Sequence, residues 1–473
     1  MEFLDRIKSF SSIEVIPDEP DGQRIRGIIR IRSDAGVQEF SLIFHYSRPV
    51  KVDRRMAGII LTMPVINHAY FAQRIKLSFP VSALDLAMIR DLVSINNVEV
   101  FVNKICRRRY EFFKPKFLPR EEEKTPENAI GNTEIESTES STESNGTRQK
   151  PYANRIGILS SGGKESLLSY GILKEIGIET YPIFFAESGG HWRTAKTSYD
   201  QISLSDPNTT KIWSNVDRYY SMMLRNLKCL DQNVVRKRAD TYPVRLFIFP
   251  VYVMASLPLV ANLGLSGLVM GNEFDDPREM PPYNGIRHYY GIYDQSQDFA
   301  DRINKYFSGN GYACELFSIL YPVLGNVVQN MLGRRYPDLF RGQRSCHSCH
   351  FSNGKIEPCG KCTKCIGIML FASAAGLDLE SIGYHEKNPE SILQLARNAR
   401  MRLDQDELAY LLNRISSGAS GDRSHVTGLH MLPGERNLLN SVREPIRSKV
   451  LDLLRMYTSG TFYLQNGKWV EAG

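Results

Sequence analysis

Hydrophobic and polar positions follow two different rhythms along this chain, and the change between them marks its organisation. Near the start the period is two: Arg24-Ile-Arg-Gly-Ile-Ile-Arg-Ile-Arg32 and Glu39-Phe-Ser-Leu-Ile-Phe-His-Tyr46 read as strands joined by a turn around Asp34-Ala-Gly36, and residues 83–93 read as a helix. An α+β domain is therefore expected over residues 1–118. The periodicity is then lost. Residues 119–150, with Glu121-Glu-Glu-Lys124 and Ile135-Glu-Ser-Thr-Glu-Ser-Ser-Thr-Glu143, carry too little apolar surface to bury and are expected to form a disordered linker. From residue 151 short apolar runs alternate with helical patterns: strands at 155–159, 180–186 and 211–213, helices at 165–176, beyond His191 and near 218–226. The stretch from Leu246 to Asn272 has no charge and is long enough for a membrane span, but Pro250, Pro258, Asn262 and Gly264 interrupt it. It reads instead as a buried strand ending near Phe249, a helix over 251–263 and a buried strand over 265–270. Such alternation predicts an α/β fold, a doubly wound parallel sheet over 151–345 with ligands at the carboxyl ends of its strands. Residues 366–473 read as a helical extension, amphipathic at 391–401 and 443–457, with a loop over 418–434.

Two strand ends in this pattern carry candidate chemistry. The first strand runs into Ser160, Ser161, Gly162, Gly163, Lys164, Glu165 and Ser166, directly before a helix. Adjacent glycines let backbone N–H groups turn toward an anion, serines add hydroxyl donors, and the helix presents its positive end to the same point. This is a phosphate-binding turn. The Walker spacing is absent, so cleavage of a γ-phosphate is disfavoured. The second strand end is Gly271-Asn272-Glu273-Phe274-Asp275-Asp276, a carboxylate cluster in which Asp275 and Asp276 are candidates for metal binding or for orienting an amine.

Five of the eight cysteines fall between positions 346 and 365: Cys346, Cys349, Cys359, Cys362 and Cys365. Pairs two residues apart can clamp a soft ion, and four thiolates make a closed tetrahedral zinc site. Cys359, Cys362 and Cys365 supply three ligands, and the spacing leaves Cys349 or Cys346 as the fourth. A closed site has no open coordination position, so this knuckle, residues 346–365, is read as a structural staple. Four thiolates on Zn²⁺ leave a charge of about −2, which Arg341, Arg344, Lys355, Lys361 and Lys364 are placed to offset.

Composition adds bounds. The 473 residues suffice for two or three domains, and a net charge of +7 suits an anionic ligand without requiring nucleic acid. The charged, amphipathic start Met1-Glu-Phe-Leu-Asp-Arg-Ile-Lys8 is not a signal peptide, which makes a cytoplasmic location the simplest expectation, without membrane attachment.

Ser161-Gly-Gly-Lys-Glu-Ser166 resembles the Ser-Gly-Gly-x-Asp-Ser loop of the N-type ATP pyrophosphatases (the PP-loop superfamily), with Glu165 where that family has Asp. Ser348-Cys349 and Cys359-Gly-Lys-Cys362-Thr-Lys-Cys365 are similar to the zinc knuckle of one branch, the 7-cyano-7-deazaguanine synthases, and Gly271-Asn272-Glu273-Phe274-Asp275 looks like its Gly-x-Asn-x-x-Asp segment with one residue fewer. The resemblance covers about residues 154 to 370. It implies a Rossmann-like (HUP) domain that binds ATP with Mg²⁺ through the glycine loop, Gly271 and Asn272, holds a structural Zn²⁺ with Cys349 as the fourth ligand, and adenylates a carboxylate with release of pyrophosphate. Lys164, Glu165 and Asp275 would then be catalytic. Ammonia attacking an adenylated deazapurine is the reaction implied, and His191, Glu273, Asp276, Arg287 and His288 are candidates for substrate contacts. Ala186-Glu-Ser-Gly-Gly-His191 is a weaker match, to a turn after the second strand. The family's Tyr-Pro-Asp-Cys-Arg run is missing; Pro281-Pro-Tyr-Asn-Gly-Ile-Arg-His-Tyr-Tyr-Gly-Ile-Tyr293 stands there, offering Tyr289, Tyr290 and Tyr293 for stacking. Other readings remain open: a ligase joining the adenylated group to a protein amine, a tRNA thiolation enzyme using Cys229 or Cys314, and an ATP sensor without turnover. A homodimer is compatible with each.

Overall fold

The computed structural model describes residues 2–472 apart from 108–110, 142–150, 238–243, 245–246, 275–278, 290–291, 347, 353, 400, 402, 418–422, 432–437 and 467. The chain divides into two compact units, each assembled from separated segments: residues 1–151, 212–264 and 277–314 form the first, and 152–211, 265–276 and 315–473 the second. The division between 151 and 152 falls where the second domain was expected to begin, whereas 118 is not a boundary, and residues 212–264 and 277–314, expected in the second domain, belong to the first unit.

In the first unit the period-two segments form an antiparallel hairpin, Arg24–Ser33 against Gly36–Tyr46. The strand Ser12–Pro17 adds antiparallel to Arg24–Ser33, and Arg74–Val81 and Glu134–Ser140 follow in parallel. At the other edge, residues 212–214 of the strand Thr210–Ser214 pair antiparallel with the end of Gly36–Tyr46. Glu134–Ser140 overturns the linker expectation. Only Ile135 of this strand is buried; its charged side chains form ion pairs with the neighbouring elements, Arg74 with Glu134 and Glu136, and Arg54 with Glu139. A charged edge strand has the composition of a disordered segment and differs from one in having a partner. Residues 121–123 and 126–130 are also ordered as short helical turns, whereas 142–150 lie outside the described residues.

The helix Ala83–Val100 begins at a capping box of Ser82 and Asp85 and outruns its expected end at 93. The uncharged stretch supplies the helix Phe249–Leu263, stopped by Gly264 in the left-handed region at φ 63°. Among the described residues no strand ends near Phe249: Phe247 and Ile248 lead into the helix, and 245–246 lie outside the described residues. Among the described residues, no helix is long and apolar enough to cross a membrane.

The second unit holds a parallel sheet in the order Glu315–Phe317, Leu265–Val269, Tyr152–Ser160, Glu179–Ala186. Leu265–Val269 is buried at every position, as a strand covered on both faces requires. The helices Lys164–Glu175, Gly325–Arg335 and Thr363–Ala374 contribute Leu168, Ile172, Val328, Met331, Ile366 and Met369 to one apolar core with Ile158, Val269 and Phe317. The C-terminal region is less helical than expected. Beside the helices Pro389–Asn398, Gln405–Ser417 and Ile446–Arg455 it forms a sheet of Leu429–Met431, Thr461–Gln465 and Lys468–Glu471, the first strand lying inside the presumed loop.

Candidate functional site

Parallel neighbours end on the same edge of a sheet, so the loops after Tyr152–Ser160 and Leu265–Val269 are adjacent. The glycine loop is shaped by close approach. Gly162 has φ 76°, and a Cβ there would lie 2.5 Å from Ser198 Oγ and 3.1 Å from Ala195 Cα on the helix Gly189–Ser205. Gly163 occupies the N-cap of Lys164–Glu175 with no side-chain cap, which leaves that helix end to the backbone alone. Ser160 Oγ lies 3.3 Å from Ser166 Oγ, and Ser166 Oγ donates to the Gly163 carbonyl at 3.2 Å. Gly271 lets the second loop reach the first: a Cβ at this position would come within 2.7 Å of Glu165 Cβ.

At this junction the Lys164 ammonium lies buried between two carboxylates, 2.6 Å from Glu165 Oε1 and in an ion pair with Glu273 Oε1. Burial opposes its charge, but the attraction of Glu165 and Glu273 outweighs burial and holds its pKa above the ordinary lysine value. Glu165 is likewise resisted by burial, yet the Lys164 charge keeps its pKa below the usual carboxylate range. The Phe371 ring lies 5.3 Å from Nζ, and a Cβ at Gly325 would stand 3.0 Å from Glu273 Oε2 and 3.3 Å from Nζ. Asn272 Nδ2 donates to the Tyr321 hydroxyl at 3.2 Å while its carbonyl accepts from Ser318 Oγ at 2.6 Å, which fixes the turn that carries Glu273.

The structure thus brings together Ser160 to Ser166, Gly271, Asn272 and Glu273. Glu273, expected as a substrate contact, is the second partner of Lys164. Asp275, Asp276 and Tyr290 lie outside the described residues. Arg287, His288, Tyr289 and Tyr293 belong to the first unit. There Arg287 makes an exposed two-bond pair with Glu279, His288 is buried with Nδ1 2.9 Å from the Tyr289 carbonyl, and Tyr293 packs its ring edge-on to Tyr289. His191, at the start of Gly189–Ser205, pairs with Glu187. Tyr321, Gly325 and Phe371 escaped the sequence reading; each looks like an ordinary core or turn residue until the fold sets Gly325 and Phe371 beside Lys164 and Tyr321 against Asn272.

The cysteines form a second centre in the same unit. The Sγ atoms of Cys346, Cys359, Cys362 and Cys365 all lie within 4.8 Å of one another, a group that could hold a metal ion such as zinc. Cys349, expected as the fourth ligand, is not in this group; the alternate, Cys346, takes the place. Backbone N–H groups of Ser348 and Cys359 point at Cys346 Sγ at 3.1 and 3.2 Å, whereas Cys349 Sγ accepts from Thr194 Oγ1 at 3.7 Å. Cys362 caps the helix Thr363–Ala374. Arg344 is buried and donates to the carbonyls of Arg341, Gln343 and Ile356, so it fastens the loop beyond merely offsetting thiolate charge. Its own N–H donates to the Gly162 carbonyl at 3.1 Å, a direct tie between the cysteine loop and the glycine loop. Outside this centre, burial pushes the Cys229 thiol up to about 12, a poor nucleophile at neutral pH, and Cys314 is buried.

No family model matches this chain, and no curated protein sequence matches it.

Proposed function

We propose that this chain is an ATP-dependent adenylating enzyme of the N-type pyrophosphatase kind, activating a carboxylate, a 7-deazaguanine derivative in the first instance, for attack by ammonia or an amine. The observation that carries the reading is the glycine loop at the carboxyl end of a parallel strand, followed by a helix with an uncapped N-terminus and flanked by Lys164, Glu165 and Glu273. The donor sets fit the metals such chemistry uses. Carboxylate oxygens of Glu165 and Glu273 suit Mg²⁺, and four thiolates suit a closed Zn²⁺ site of structural purpose.

In this reading the N–H groups at Gly162 to Lys164 bind the phosphates, and the chemistry at the α-phosphorus is favoured by positioning and charge stabilisation. Bound Mg²⁺ would offset charge on the departing pyrophosphate. Asn272, held by Tyr321 and Ser318, keeps Glu273 aimed at the loop. Burial of Cys229 and Cys314 argues against tRNA thiolation, which requires a reactive thiol. The commitment of Lys164 to two carboxylates favours one second reading, ATP binding without turnover.

One incubation separates these. The protein is mixed with α-labelled ATP, Mg²⁺ and ammonium, with and without 7-carboxy-7-deazaguanine, and products are resolved by anion exchange. AMP formed only with the deazapurine is the expected result. ATP retained on the protein with no AMP under any condition would support the sensor and remove the enzyme reading.

A further inference from the structure

We infer that Cys349 is a resolving thiol for the cysteine centre: when a peroxide oxidises the metal-binding thiolates, the oxidation ends as a Cys346–Cys349 disulfide and three ligands survive. Five cysteines lie in this segment, and four of their Sγ atoms form the group that could hold zinc. The fifth is set against that group. Cys349 is buried, follows Cys346 in Cys-x-x-Cys spacing, and its thiol is in hydrogen-bonding contact with that of Cys346. The helix Gly189–Ser205 pins the turn between them. Thr194 Oγ1 lies 3.0 Å from the Cys346 carbonyl and 3.7 Å from Cys349 Sγ, and Arg193 Nε donates to the Cys349 carbonyl at 2.9 Å. A spare thiol is thereby held beside one ligand.

Exposure and sulfur spacing set the route. Cys359 and Cys362 are half-buried whereas Cys346, Cys349 and Cys365 are buried, so a molecule as small as hydrogen peroxide meets one of the first two. Cys362 Sγ stands 3.5 Å from Cys365 Sγ on one side and 4.0 Å from Cys346 Sγ on the other. The Cys362 thiolate attacks a peroxide oxygen, the O–O bond breaks, and a sulfenic acid and hydroxide form. The Cys346 thiolate attacks the sulfenic sulfur and expels a second hydroxide, closing a Cys346–Cys362 disulfide; a bond closed first to Cys365 is opened by the same attack. Cys349, its proton taken by hydroxide, then attacks Cys346 Sγ, the new S–S bond replaces the old, and Cys362 leaves as a thiolate. One peroxide is reduced to water and hydroxide while Cys346 and Cys349 together lose two electrons. The end point follows from the metal. A disulfide between any two ligands leaves two thiolates for Zn²⁺, whereas one that includes Cys349 leaves three, so metal binding draws the exchange to Cys346–Cys349.

The test treats the full chain, loaded with Zn²⁺, with one equivalent of hydrogen peroxide, quenches it in acid, alkylates the remaining thiols and maps disulfides by peptide mass spectrometry. A Cys346–Cys349 disulfide is the expected product, and its absence overturns the inference. Zinc retention supplies a second readout. Cys349→Ser keeps all four ligands but confines the oxidation to them. After peroxide, transfer of its zinc to a chromogenic chelator should be at least about tenfold faster than from the oxidised unsubstituted protein. Equal rates overturn the inference. Should Cys349→Ser fail to fold or to load zinc, the disulfide map of the unsubstituted protein decides alone. Neither readout involves adenylation, so both stand whatever the product assay returns.

Discussion

At the residue scale, two positions show how one side chain's surroundings set its behaviour. Cys346 and Cys349 sit in near-identical contexts, Ser345-Cys346-His347 and Ser348-Cys349-His350, so local pattern does not distinguish them as ligands. The fold does, by aiming two backbone N–H groups at Cys346 Sγ and setting Cys349 against Thr194. Cys349→Ser should therefore retain one zinc per chain by elemental analysis, whereas Cys346→Ser should lose most of it; the reverse pattern would refute this assignment. His68 supplies a pH prediction. It is fully buried among Tyr219 and Tyr220, and burial pushes its pKa down to about 3 from 6.5, against a smaller upward pull from the Pro64 backbone. The unfolded chain then binds a proton that the folded chain refuses. Its contribution to stability is intact above pH 6.5 and declines by about 1.4 kcal/mol per pH unit as pH falls toward 3. Urea midpoints measured across this window should fall less steeply for His68→Phe than for the unsubstituted protein.

At the element scale, close backbone approach and end-capping determine which helices and turns hold. Gly162→Ala places a Cβ against Ser198 and Ala195 at a backbone angle that alanine resists. It should lower stability by about 1–3 kcal/mol in urea unfolding and weaken ATP binding in calorimetry, since the loop must move off the helix Gly189–Ser205. Ser82→Ala removes the hydroxyl that accepts from the Asp85 N–H and should cost about 1 kcal/mol. These elements were legible from local signals: alternation for the hairpin, Gly264 for the end of Phe249–Leu263, the glycine pair for the strand-to-helix turn. Glu134–Ser140 was not, because a charged edge strand is held by backbone pairing to a neighbour distant in sequence, here Arg74–Val81, with exposed ion pairs such as Arg74–Glu134 beside it, and composition records neither.

At the scale of the whole chain, the second unit links the cysteine centre to the glycine loop through the Arg344 N–H and the Gly162 carbonyl. Cys346 and Cys365 belong to the same apolar core as Leu167 and Leu168, which immediately follow that loop. Stripping metal with a strong chelator should therefore lower the melting temperature and remove hydrogen-exchange protection at residues 160–166 as well as at 343–374. Protection lost at 343–374 alone would show that the tie carries no stability.

The amino-acid sequence by itself determined what depends on neighbours a few residues apart: the strand-to-helix turn with its glycines, the cysteine spacing, the hairpin, and the breaks that interrupt an uncharged stretch. Tertiary structure alone decided which distant groups meet. Glu273 reaches Lys164 across 109 positions because their strands are parallel neighbours, and residues 212–264 and 277–314 join the first unit because its core needs their helices and strands. The physical reason is range. Backbone preference and capping act within a turn of the chain, whereas ion-pair partners, metal-ligand geometry and edge-strand pairing depend on a topology that local pattern does not encode.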